Sequence, residues 1–77
     1  MGPHRNNSLA VLNNTISQLR KDKGVTQEEL ANAVGVTRQT IIAIEKGNYV
    51  PSLLLGLKIA SYFNSPVESV FSYEQAQ

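Results

Sequence analysis

The stretch VTRQTIIAIEKG, from Val36 to Gly47, contains the side chains with the most informative chemistry. Wound as a helix at about 100° per residue, it places Thr40, Ile41 and Ile44 on one side. The other side carries a mixed set: Arg38, Gln39, Ile42, Ala43 and Lys46. Arginine can make a two-point hydrogen bond to guanine, and glutamine can do so to adenine. A face that only meets solvent seldom combines such groups with an isoleucine and an alanine.

The remaining reactive side chains do not form a catalytic or metal-binding pattern. Glu28 and Glu29 are adjacent carboxylates, but acidic residues in the first turn of a helix usually serve capping and dipole interactions. His4 is the only histidine, and the absence of cysteine excludes a thiolate nucleophile or thiolate metal site. We therefore predict no enzymatic activity, no cofactor and no metal site.

The composition indicates one small folded domain. Of the 77 residues, 42% are hydrophobic and 17% are charged, which is too apolar for a disordered chain. No apolar run reaches the roughly 18 residues that cross a bilayer, and the first residues lack the apolar core of a signal peptide. The sequence thus predicts a cytoplasmic protein without a membrane partner. The net charge of +1 does not by itself indicate nucleic acid as a ligand.

Glycines and capping residues divide the chain into short helices. Gly24, Gly35 and Gly47 are each expected just after a helix, where glycine adopts the left-handed conformation easily. The start signals are Thr26 with Glu29 as a capping box, Thr37, Ser52 after Pro51, and Ser65 with Pro66 and Glu68. These signals predict five helices, at about 13–23, 27–34, 38–46, 52–63 and 66–71. Since no segment alternates apolar and polar residues for long, we predict an all-α fold.

The helical pattern also predicts the core and the domain limits. The expected core residues are Ile16, Leu19, Leu30, Ala31, Val34, Val36, Ile41, Ile44, Leu53, Leu55, Ile59, Ala60, Phe63, Val67, Val70 and Phe71. Residues 1–12 are predicted to be a partly disordered extension and 74–77 a frayed tail, which leaves a domain over 13–73. Within the extension, Leu9 to Leu12 either lengthen the first helix or cover an apolar patch.

The second and third predicted helices form a helix-turn-helix unit. A turn of about four residues joins them, and the small Ala31 and Gly35 allow a close approach. In such units the second helix lies in the major groove of DNA. The run NTISQLRKDKGVTQEELANAVGVTRQTIIAIEKGNYVPSLLLGLKIASYF, with the later VESVF, resembles the Cro and phage-repressor type (Xre-like) helix-turn-helix family. This resemblance implies a compact five-helix, lambda-repressor-like domain that usually acts as a dimer on a palindromic operator.

The resemblance also implies roles for individual residues. Base reading is expected from Arg38, Gln39 and Ala43, and Ile42 lies on the same face. Phosphate contacts are expected from Gln27, Thr37, Lys46, Asn48 and Tyr49. Arg20 and Glu45 are expected to form a structural ion pair rather than to contact DNA. The apolar residues Leu54, Leu57, Val70, Phe71 and Tyr73 either form a dimer contact or complete the small core.

Together these patterns predict a sequence-specific DNA-binding transcriptional regulator, with repression as the expected effect. Its partners would be double-stranded DNA and a second copy of the chain. The alternative is an antitoxin or another protein-interaction module in which DNA binding is secondary. The face of the helix at 38–46 is the feature that favours the regulator.

Overall fold

A computed structural model of the protein describes residues 10–75. The elements in chain order are strand β1 (Ala10–Asn14), helices α1 (Ile16–Lys23), α2 (Gln27–Val34), α3 (Arg38–Glu45), α4 (Leu53–Tyr62) and α5 (Val67–Val70), and strand β2 (Phe71–Gln75). The five predicted helices are therefore present. The first begins at Ile16 rather than near residue 13, and the last ends at Val70 because Phe71 is extended.

The prediction of an all-α fold is wrong, because the two ends of the described chain pair as a small antiparallel sheet. The register runs from Ala10 opposite Gln75 to Asn14 opposite Phe71. Part of the predicted N-terminal extension and part of the predicted tail thus belong to strands, and Leu12 does not lengthen a helix. Each strand has only five residues and forms through a partner that is distant in sequence, so its local pattern carried little signal.

The helix starts are fixed mainly by side-chain caps, as predicted. The Thr26 hydroxyl accepts the Glu29 amide, and the Glu29 carboxylate accepts the Thr26 amide, which completes the capping box. The Thr37 and Ser52 hydroxyls cap α3 and α4 by accepting the Thr40 and Leu55 amides, without a reciprocal carboxylate bond. The predicted cap at Ser65 is wrong: its hydroxyl donates to the Phe63 carbonyl, and Pro66 occupies the capping position of α5.

The core lies between the helices and agrees with the predicted set at most positions. The buried residues are Ile16, Leu30, Ala31, Val34, Ile41, Ile44, Leu55, Ile59, Ala60 and Val70. Leu53 was predicted to be in the core but is 74% exposed. It lies at the start of α4, whose buried face is formed instead by Leu55, Gly56, Ile59 and Ala60.

Asn14 connects the sheet to the helices. Its side-chain amide donates to the Ile44 carbonyl at 3.0 Å, and its side-chain oxygen accepts the Ile16 amide at 3.1 Å. The Thr15 amide donates to the Val70 carbonyl at 2.9 Å, beside the last strand pair. The end of β1 is therefore held against both α1 and the C-terminal end of α3.

Candidate nucleic-acid interface

Helix α3 presents the mixed face that the sequence predicted. Ile41 and Ile44 are 0% and 2% exposed, so they fix the opposite face of the helix in the core. Arg38 and Gln39 are exposed in its first turn, and Ile42 and Ala43 are half-buried beside them. The free N-terminal turn thus offers directional donors, while the next turn offers only short apolar groups.

The start of α3 is well ordered by its cap. The Thr37 hydroxyl accepts the Thr40 amide at 3.2 Å and lies 3.1 Å from the Thr40 hydroxyl. This arrangement fixes the backbone directly before Arg38. Thr37 itself is exposed, so its position also suits a contact with an approaching anion.

The C-terminal end of α3 is held by an ion pair with α1. Arg20 Nε lies 2.6 Å from Glu45 Oε2, and Arg20 Nη2 lies 3.1 Å from Glu45 Oε1. The side chains are only 14% and 9% exposed, and the Arg20 guanidinium also donates to the Val25 carbonyl. Donation to Glu45 raises the pKa of Arg20, although partial burial acts in the opposite direction. The ion pair predicted between these residues is therefore formed.

Gln27 joins this ion pair. Its side-chain amide donates to Glu45 Oε1 at 3.1 Å, which connects α2 to the same carboxylate. The sequence predicted a phosphate contact for this amide and did not predict its bond to Glu45. The carboxylate of Glu45 thus accepts hydrogen bonds from both α1 and α2.

The loop after α3 carries three further candidates. The Gly47 and Asn48 amides donate to the Ile44 and Ala43 carbonyls, so the loop leaves the helix in a fixed conformation. Lys46, Asn48 and Tyr49 all have exposed side chains. They follow the exposed face of α3 directly, which places cationic and polar groups beside the candidate base-reading residues.

A separate apolar surface lies at the start of α4. Leu53, Leu54 and Leu57 are 74%, 63% and 46% exposed, and we call these three residues the leucine patch. The sequence missed Leu53 as a member, because the apolar run after Ser52 did not show which residues face inward. Large exposed apolar patches commonly mark interaction sites.

The C-terminal residues that were grouped with this surface have different positions. Tyr73 is 70% exposed, whereas Phe71 is half-buried and packs against the core. Val70 is 1% exposed, so of the two alternatives left open for it, dimer contact or core, it takes the place in the core. The short helix α5 turns Val70 inward directly before the chain becomes extended.

Two further observations concern residues 10–75. This part of the chain contains no cluster of histidine, cysteine, aspartate and glutamate that could hold a metal ion, and His4 lies outside it. It also contains no helix with the length and apolar character needed to span a membrane.

Helix α2, a turn of three residues and helix α3 with its exposed first turn define a helix-turn-helix DNA-binding domain. The sequence model described as Helix-turn-helix matches residues 16–70, and the chain belongs to this family. The family consists of DNA-binding transcriptional regulators and not of enzymes, which confirms the predicted class of function.

Individual relatives agree with this assignment. The chain is 53% identical over 64 residues to YgzD, an uncharacterized HTH-type transcriptional regulator of Bacillus subtilis, which covers 83% of this chain and 97% of the relative. It is 37% identical over 57 residues to RstR, a cryptic phage CTXphi transcriptional repressor of Vibrio cholerae. That match covers 74% of this chain but 51% of RstR, so the chain spans about half the length of that relative.

A solved structure shows the same fold. The restriction-modification controller protein C.AhdI from Aeromonas hydrophila superimposes with a TM-score of 0.66 at 31% sequence identity. The superposition covers 70% of this chain and 82% of that one.

Proposed function

We propose that this protein is a sequence-specific repressor that reads the major groove with α3. The observation that carries this proposal is the exposure of Arg38 and Gln39 in the first turn of a helix whose other face buries Ile41 and Ile44. Both side chains can make two-point hydrogen bonds to purines. Ile42 and Ala43 contribute apolar contacts, for example with a thymine methyl group. Repression is the activity named for the relative RstR.

Base reading is tested by selecting bound sequences from random DNA and then measuring variants on the recovered site. Arg38→Ala should cost about 1–3 kcal/mol on that site and relax the preference at one base pair. The matched control is Lys21→Ala, which removes an exposed positive charge on α1. An equal loss on the selected site and on random DNA would contradict base reading by Arg38.

Phosphate contacts surround this reading surface. We assign them to Thr37 at the start of α3, and to Lys46, Asn48 and Tyr49 in the exposed loop after it. We include Gln27 among the proposed phosphate contacts because it lies in the first turn of α2, where free backbone amides favour an anion. Substitution of these residues should weaken binding to all sequences alike, and Lys46→Ala should reduce the salt slope by about one.

The proposed active form is a homodimer whose contact includes the leucine patch and Tyr73. Three exposed leucines without an acidic neighbour in the first turn of α4 suit contact between identical surfaces. Phe71, two residues before Tyr73 in the same strand, is half-buried against the core. Two copies would then read two half-sites of a palindrome.

Sedimentation tests the dimer. Leu54→Lys should give a monomer that binds single half-sites, whereas Gln18→Lys, at an exposed position on α1, should leave the dimer intact. A wild-type protein that sediments as a monomer at high concentration would refute the contact. Recovery of no enriched DNA site would instead favour the alternative of an antitoxin or other protein-interaction module.

Repression itself is tested with a reporter gene placed behind the selected site. Expression of the wild-type protein should lower the reporter signal, and Arg38→Ala should restore it. A rise in reporter expression with the wild-type protein would contradict repression.

A further inference from the structure

Strand β1 has a free edge. Within residues 10–75 it pairs only with β2, in a one-to-one register over five residue pairs that contains no bulge. The bond from the Thr15 amide to the Val70 carbonyl continues this register. Because bonded and non-bonded pairs alternate along an antiparallel ladder, the backbone N–H and C=O of Leu12 point away from β2. The outer edge of β1 therefore offers a donor and an acceptor to another strand.

A groove of about 510 Å³ runs along this edge. Four consecutive residues, Val11 to Asn14, line one wall, and β2 contributes none. Successive side chains of a strand lie on opposite faces, so four consecutive residues line one groove only if it follows the strand edge. The other wall is formed by the end of α3 and its loop, namely Ile44, Glu45, Lys46, Gly47, Tyr49 and Val50.

The dimensions of the groove fit one extended segment. Four consecutive strand residues, Val11 to Asn14, line the groove over about 13 Å, which is the length of an extended segment of about four residues. A second copy of β1 would have to bring its own β2 and its own loop into a groove whose second wall is already formed by the end of α3 and the loop after it.

The edge of β1 lacks the features that usually prevent strand addition. Exposed edges are commonly protected by charged residues, proline or bulges. The sequence AVLNN has no charge and no proline, whereas β2 carries Glu74. Val11 and Val50, on opposite walls of the groove, are 47% and 68% exposed. An added strand would cover both side chains.

We propose that this groove binds an extended segment of a partner protein, which adds to β1 as a third strand. Alternate residues of the segment would be apolar and would pack on Val11 and Val50. Glu45 is already paired with Arg20, so Lys46 is the one charge in the groove lining without an ion-pair partner among the described residues. The segment therefore carries an acidic residue opposite Lys46.

The position of the groove gives the segment a regulatory effect, which rests on the proposed DNA-binding function. Lys46 and Tyr49 line the groove and are also proposed phosphate contacts. An acidic segment bound there would compete with DNA phosphates for these side chains. The partner would thus release the regulator from its operator.

The site is tested first without DNA. Random heptapeptides displayed on phage are selected against the full chain, and enriched peptides are synthesised with a fluorescent label for binding by polarisation. The expected peptides alternate apolar residues and contain an acidic one. Leu12→Pro removes the outward amide and should weaken their binding about tenfold or more. Leu12→Ala is the matched control, because it shortens the same side chain but keeps the amide that points to the outer edge of β1.

Circular dichroism and thermal unfolding establish that both variants are folded. Loss of peptide binding in Leu12→Pro but not in Leu12→Ala supports the site. Recovery of no peptide, or an equal effect of both variants, overturns it. If the wild-type protein is a dimer without peptide and the Leu12→Pro variant is a monomer, the edge of β1 binds a second copy of the chain. That result would also overturn the proposal.

A separate measurement addresses regulation. The synthesised peptide should displace the selected DNA from the wild-type protein but not from Leu12→Pro. Peptide binding at the groove without any displacement would refute the competition with phosphate while leaving the site itself supported. Failure to find a DNA site at all would refute the proposed function, and the peptide measurements would still decide the groove.

Discussion

Removal of the Glu45 carboxylate tests how far the ion pair with Arg20 holds α3 in place. In the wild-type protein the Arg20 side chain is only 14% exposed, and Glu45→Ala leaves it with the Val25 carbonyl as its remaining acceptor. The Gln27 amide loses its acceptor as well. Breaking a buried ion pair from one side costs 3–5 kcal/mol, and the residual exposure of this pair favours the low end, about 3 kcal/mol. A domain of this size has a total stability of about 4–12 kcal/mol, so the loss is large.

Urea unfolding followed by circular dichroism measures this loss. The midpoint should fall while the slope with denaturant stays constant. Arg20→Leu combined with Glu45→Leu should recover stability to within about 1 kcal/mol of the wild type, because no uncompensated charge remains. Glu28→Ala, at an exposed carboxylate in the first turn of α2, is the control and should cost less than about 1 kcal/mol. A loss below 1 kcal/mol for Glu45→Ala, or additive losses in the two single leucine variants, would show that the pair behaves as an exposed one.

Three further substitutions test local features of the fold by the same unfolding measurement. Gly56→Ala should stabilise the protein by about 0.5–1 kcal/mol, because the added Cβ would lie 3.6 Å from Cε2 of Phe71, which is an ordinary contact. A destabilised variant would show that α4 needs the closer approach that glycine allows. Thr26→Ala should cost about 1 kcal/mol through loss of the capping box. Glu29→Gln should cost less, because the oxygen of its side-chain amide can still accept the bond from the Thr26 backbone amide. Equal losses in the two variants would contradict the geometry of the capping box. Asn14→Asp should cost about 1–3 kcal/mol, because a carboxylate cannot donate to the Ile44 carbonyl; an unchanged midpoint would refute its anchoring role.

The helices and the candidate DNA-reading face were predictable from the sequence because their signals are local. A capping box involves residues three positions apart, as at Thr26 and Glu29, and a helical face repeats every three or four residues. The sequence therefore predicted that Arg38 and Gln39 lie in the first turn of a helix capped by Thr37. The partnership of Arg20 with Glu45 came from the family resemblance, since 25 positions separate them.

The sequence was less informative where one residue type fits two environments. In the apolar run after Ser52, helical periodicity alone did not separate the buried Leu55 from the exposed Leu53. The packing of α4 against its neighbours decided this, because it sets which side of the helix is covered. Val70 shows the same limit, because the sequence left it between the core and a surface contact, and the structure encloses it in the core.

The sequence by itself thus determined the class of protein, the helix-turn-helix unit and the residues on the exposed face of its second helix, because these depend on residues close together in the chain. Only the tertiary structure decided the pairing of β1 with β2, the bond from Gln27 to Glu45 and the groove beside Leu12. Each of these depends on segments that meet after the helices have packed. Short strands and hydrogen bonds between distant segments are stable only when both segments are in contact, so the sequence of one segment alone does not predict them.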